Sequence, residues 1–106
     1  MQKIKKVILL HVNGCEPCEE FKNMFEQVAN LDKYNEISFE SYDIEDGDKG
    51  SKLVGKYQVP GVPTAILLDD NNELIDKIIG SVEKEEFMEI IADCLNTQEG
   101  EEENDN

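Results

Sequence analysis

Apolar residues in the first dozen positions come as Ile4 and then an unbroken Val7-Ile8-Leu9-Leu10. A run without alternation marks a strand covered on both faces, so a central strand is expected over 4–12. From Pro17 the period lengthens. Phe21, Met24, Phe25 and Val28 recur at helical spacing, with Glu19, Glu20, Lys22, Glu26 and Gln27 opposite them, which predicts an amphipathic helix ending near Asn30. Ile37, Phe39 and Ser41 alternate with Ser38, Glu40 and Tyr42 and lead into Asp43-Ile44-Glu45, the pattern of a second strand. After the turn residues Asp46-Gly47-Asp48-Lys49-Gly50, a short helix is expected on Leu53, Val54 and Tyr57, stopping before Val59-Pro60.

Thr64-Ala65-Ile66-Leu67-Leu68 is again a buried strand, and Asp69-Asp70-Asn71-Asn72 a strong turn signal. The next strand, Glu73 to Ile79, follows too soon for a crossover helix, so the pair should be an antiparallel hairpin. Val82, Phe87, Ile90, Ile91, Cys94 and Leu95 form the apolar face of a last helix, with Ser81 as its expected cap. The order β-α-β-α-β-β-α predicts an α/β fold: a mixed four-stranded sheet flanked by helices on both faces. Phe21, Tyr57 and Phe87 are expected in the core, and Pro60 only ends a helix.

Charge sharpens this picture. Of 106 residues, 25 are acids and 10 are bases, all lysine, for a net charge of -15. A surface this negative argues against nucleic acid, whose affinity comes from neutralised phosphates, and against anionic lipid. The longest apolar run has four residues, against about twenty for a membrane helix. It is also too short for an export signal, and His11 and Asn13 interrupt it, so a cytoplasmic chain is expected. Residues 1–96 read as one domain. Residues 97–106 carry Glu99, Glu101, Glu102, Glu103 and Asp105 and nothing apolar to bury, so an acidic disordered tail is expected there.

The candidate chemistry lies in Cys15-Glu16-Pro17-Cys18, where a strand hands over to a helix. Unpaired amides and the positive end of the helix dipole stabilise a thiolate at such a point. Two intervening residues let the sulfurs meet across the first turn, and Pro17 is tolerated there because its missing N–H would have no partner. Zinc is the competing use of the pair, with His11 and Cys94 as the other soft donors, but Cys94 belongs to the apolar face of the far helix. No metal is expected. Cys94 itself reads as a small buried hydrophobe.

Gly61-Val62-Pro63-Thr64, about forty-five residues after the cysteines and opening a strand, completes a resemblance to the thioredoxin superfamily. The third-place proline of Cys15-Glu16-Pro17-Cys18 is similar to the thioredoxin pattern, and with the element order the likeness spans residues 3–96. It implies a thioredoxin-like fold, a cis Val62-Pro63 bond facing the cysteines, and a substrate-binding edge formed by Gly61, Val62, Pro63 and Pro17. The sequence departs from the family pattern in four places. Gly14 and Glu16 replace the usual tryptophan and glycine that flank the first cysteine. Leu9 stands where thioredoxins bury an aspartate that assists proton transfer with the second thiol, and Ser41, in approximate register, where they carry its lysine partner. His11, near the mouth of the site, has the ordinary pKa of a proton relay.

The implied reaction is attack by Cys15 on a substrate disulfide and resolution of the mixed disulfide by Cys18. No cofactor is needed. Glu16, Glu19 and Glu20 oppose the dipole, which predicts a Cys15 less acidic than in strongly oxidising relatives, and hence a reducing protein. The expected partners of this monomer are disulfide-containing proteins and a thioredoxin-reductase-like electron donor. The alternative is a redox-silent thioredoxin-like binding module that uses the groove around Cys15 and Pro63. Dependence on glutathione is disfavoured by the proline position and by the lack of arginine to hold its carboxylates.

Overall fold

The central strand β1 (Lys6–His11) is buried along Val7-Ile8-Leu9-Leu10 because it is covered from both sides, as its unbroken apolar run requires. In the computed structural model, which describes residues 3–95, it is followed by α1 (Glu16–Ala29), β2 (Ser38–Asp43), α2 (Lys49–Tyr57), β3 (Thr64–Leu68), β4 (Leu74–Ile79) and α3 (Lys84–Leu95). The strands form one sheet in the order β2-β1-β3-β4. β1 pairs with β2 in parallel and with β3 antiparallel, and β3 and β4 form the expected antiparallel hairpin. The sheet is therefore mixed. The expected tail, residues 97–106, lies outside the described residues.

Alternation along the strands splits the core in two. Val7, Leu9, Ala65 and Leu67 face Phe21, Phe25 and Val28 of α1 and Phe87 and Ile91 of α3. Ile8, Leu10, Ile66 and Leu68 face Tyr57 and Val59, with Leu53 and Val54 of α2 packed beside them. Helices thus cover both faces. Phe87, fully buried, meets the Phe21 ring edge-on at 5.5 Å and joins α1 to α3. The three aromatics expected in the core, Phe21, Tyr57 and Phe87, are all buried.

Several boundaries differ from the sequence expectation. Ile4 is buried but precedes β1, which starts at Lys6. β2 ends at Asp43, where the Asp46 amide closes a turn onto the Asp43 carbonyl at 3.2 Å, so Ile44 and Glu45 are not strand residues. A short 3-10 turn over Asp32–Tyr34 precedes β2 and buries the Tyr34 ring. Ser81 does not cap α3. That helix begins at Lys84, and the Phe87 amide bonds the Glu83 carbonyl at 2.9 Å, which puts the cap position at Glu83.

Candidate active site

The ends of the strands determine what lies near the cysteines. Leu10 pairs with Thr64, and Thr64 with Ile79, so the segments leaving β1, entering β3 and leaving β4 all emerge at one edge of the sheet. His11 to Cys15, Gly61 to Pro63 and Gly80 to Val82 therefore share that edge. The Val62–Pro63 peptide bond is cis, and Pro63 is buried. The Gly80 amide donates to the Pro63 carbonyl at 2.8 Å, and the Thr64 hydroxyl donates to the Gly61 carbonyl at 2.7 Å. These two bonds fix the loop while Gly61 stays exposed and Val62 half-buried, packed on the α2-side core.

Cys15 is the N-cap of α1, in extended conformation, and its sulfur accepts the Cys18 amide at 3.2 Å. Sulfur here takes the part that serine or aspartate oxygen plays at other helix starts. Cys15 and Cys18 are joined as a disulfide, with Cα atoms 5.2 Å apart, inside the usual range for such a bond. The two sulfurs differ in access. Cys15 is half-buried at the tip of the helix, whereas Cys18, one turn in, is 1% exposed among the core residues. Pro17 occupies the first turn and is exposed beside them, with Glu16 and Glu19 as acids of that turn. Gly14 sits at φ +83°, a conformation glycine adopts freely and a tryptophan would not.

Leu9 and Ser41 are direct partners across β1 and β2, and Leu9 is fully buried. The sheet behind the cysteines is thus apolar. On the same face, His11 opens onto a cleft of about 290 Å³ shared with Cys18, Glu19, Lys22 and Glu26. Burial pushes the His11 pKa below its ordinary value and nearby Lys22 adds to this, while Asp43 opposes both. Lys22 and Glu26 as cleft residues were missed from the sequence, where their signal is the spacing 18, 22, 26 along α1. Cys94 lies elsewhere, packed against the core from α3. Among the described residues, no group of three or more His, Cys, Asp and Glu side chains is placed to hold a metal ion. None of the described helices is long and apolar enough to cross a membrane.

A mixed sheet between helices, with two cysteines at the first turn of α1 and a cis-proline loop at the same edge, defines a thioredoxin-fold dithiol protein. Comparison with known proteins agrees. The model of the thioredoxin-like domain family matches residues 2–95. A thioredoxin of Mycoplasmoides gallisepticum is 31% identical over 88 residues, covering 82% of each chain. The thiol-disulfide oxidoreductase ResA of Bacillus cereus is 42% identical over 40 residues, 38% of this chain and 23% of that protein. Among solved structures, a thioredoxin of Malassezia sympodialis superposes with a TM-score of 0.73 at 19% identity, over 88% of this chain and 76% of that one. The chain belongs to the thioredoxin-like domain family. Its relatives and its adjacent cysteines support a thiol-disulfide oxidoreductase.

Proposed function

We propose that this protein reduces disulfide bonds in protein substrates. The observation that carries the reading is the unequal access of the two sulfurs. Cys15, at the helix tip with an amide hydrogen directed at its sulfur, is reachable by a substrate disulfide, and Cys18 is held one turn behind it, sheltered from solvent. A helix start favours the thiolate, the form that attacks, so Cys15 attacks and Cys18 resolves the mixed disulfide. Gly61 and Val62, with the buried Pro63 behind them and Pro17 opposite, serve as the edge on which an extended substrate segment docks. Electrons return from a thioredoxin-reductase-like donor. The protein works as a cytoplasmic monomer, its activity resides in residues 1–96, and residues 97–106 add only solubility.

Insulin reduction by dithiothreitol tests the reading. The wild-type chain accelerates the turbidity, Cys15→Ser abolishes the acceleration, and truncation after Asn96 leaves it intact. Equal turbidity with wild type and Cys15→Ser would instead favour a redox-silent binding module built on the same groove.

A further inference from the structure

Cys18 must lose its proton before it can attack, yet it is 1% exposed, and withdrawal from solvent disfavours the charged form of a thiol. The sheet behind it offers no base. Among the described residues the buried polar side chains are Thr64 and Asp69, and Asp69 follows β3 at the opposite end of the sheet from the cysteines. The polar route away from Cys18 is the cleft it shares with His11, roughly ten times the liquid volume of one water molecule.

We propose that His11 is the proton acceptor for the Cys18 thiol, acting through water in this cleft. The inference rests on the reading of Cys15 as the attacking sulfur. Four groups bear on the imidazole: Glu19, Lys22 and Glu26 line the cleft from α1, and Asp43 pairs with His11 from β2. Burial and Lys22 outweigh Asp43 and hold the ring neutral at pH 7, the form able to take a proton.

The Cys15 thiolate displaces one sulfur of the substrate disulfide and bonds to the other. Cys18 passes its proton to His11, and the new thiolate attacks the Cys15 sulfur. The Cys15–Cys18 bond forms, the Cys15–substrate bond breaks, and the departing thiolate is neutralised by the proton from His11. The substrate gains two electrons from the cysteine pair, which a dithiol reductant later restores.

Stopped-flow reaction of the reduced full chain, in a Cys94→Ala background, with a substoichiometric amount of 5,5′-dithiobis(2-nitrobenzoate) separates the steps. The first thionitrobenzoate reports attack by Cys15 and the second reports resolution by Cys18. Because that leaving group departs as an anion and needs no proton, the second phase reads Cys18 deprotonation. In His11→Gln the second phase at pH 7 slows by roughly 10²-fold, with the first phase unchanged. In wild type the second phase falls as pH drops through the His11 pKa. Lys22→Met moves that fall to higher pH, because Lys22 lowers the His11 pKa. A second phase with unaltered rate and pH dependence in His11→Gln, or a fall that does not move in Lys22→Met, overturns the proposal. Release of a single thionitrobenzoate per reagent by wild type would overturn the dithiol reading itself, and this inference with it.

Discussion

The backbone amide of Cys18 donates to the sulfur of Cys15 at 3.2 Å, so one atom serves as both helix cap and candidate nucleophile. The two roles separate by substitution. Cys15→Ser keeps a capping oxygen and Cys15→Ala keeps none. Both variants are expected to lose disulfide reduction. Measured in reducing buffer by urea unfolding, Cys15→Ala should be less stable than Cys15→Ser by about 1 kcal/mol, the typical worth of an N-cap. Equal midpoints would show that the sulfur contributes nothing to the helix start.

The third cysteine should be chemically quiet. Burial against the core pushes the Cys94 thiol up to about 11, and Asp76 and Asp93 push the same way. A raised thiol pKa means less thiolate, so at pH 8 roughly one molecule in a thousand carries the reactive form. Titration of the reduced protein with a chromogenic disulfide at pH 8 is expected to show two fast equivalents from Cys15 and Cys18 and one slow equivalent from Cys94. Raising the pH towards 11 should speed the slow phase. Three equivalents in one phase would contradict this placement.

Much of the fold was legible because it rests on local periodicity. The unbroken run at 7–10, the helical stripe of Phe21, Phe25 and Val28, and the turn residues between β3 and β4 each carry their signal within a few neighbouring positions. The paired cysteines were legible for a similar reason, since their spacing is itself a helical turn. What was hidden depends on contacts distant in sequence. Nothing local marks the seat of Tyr34 before β2, the ring-on-ring contact of Phe21 with Phe87, or the cleft that joins His11 to Cys18. Ser81 misled because a capping residue and an acid in sequence imply a helix start only if the chain turns there, and it turns two residues later.

The β3–β4 turn depends on one buried acid. Asp69, 3% exposed, accepts the Asn71 amide at 2.8 Å and the Glu73 amide at 2.9 Å through a single carboxylate oxygen. Its own amide bonds the Glu73 carbonyl at 3.0 Å, closing the hairpin. Asp69→Ala strands two donors and should cost about 2 kcal/mol in urea unfolding. Asp69→Asn keeps an acceptor oxygen in place and should cost less than half as much. A loss as large for asparagine as for alanine would mean that charge, and not the acceptor geometry, holds the turn.

Gly50 serves the close packing of α2 against the end of β2. It lies in the first turn of α2, buried, where an added Cβ would stand 2.7 Å from both the Asp43 carbonyl oxygen and the Ile44 Cα. Both neighbours are backbone atoms at the end of β2, so neither can rotate away. Alanine elsewhere in a helix stabilises relative to glycine by roughly 0.5–1 kcal/mol, and Gly55 of the same helix, with nothing within 4 Å of its Cβ position, is the internal control. Gly55→Ala should therefore raise the urea midpoint, whereas Gly50→Ala should lower stability by about 1–3 kcal/mol as α2 is forced off β2. Because His11 pairs with Asp43, that displacement reaches the cysteine edge of the sheet, and Gly50→Ala should also slow insulin reduction. If both alanines stabilise, the close approach of α2 to the end of β2 is not a feature of the folded protein.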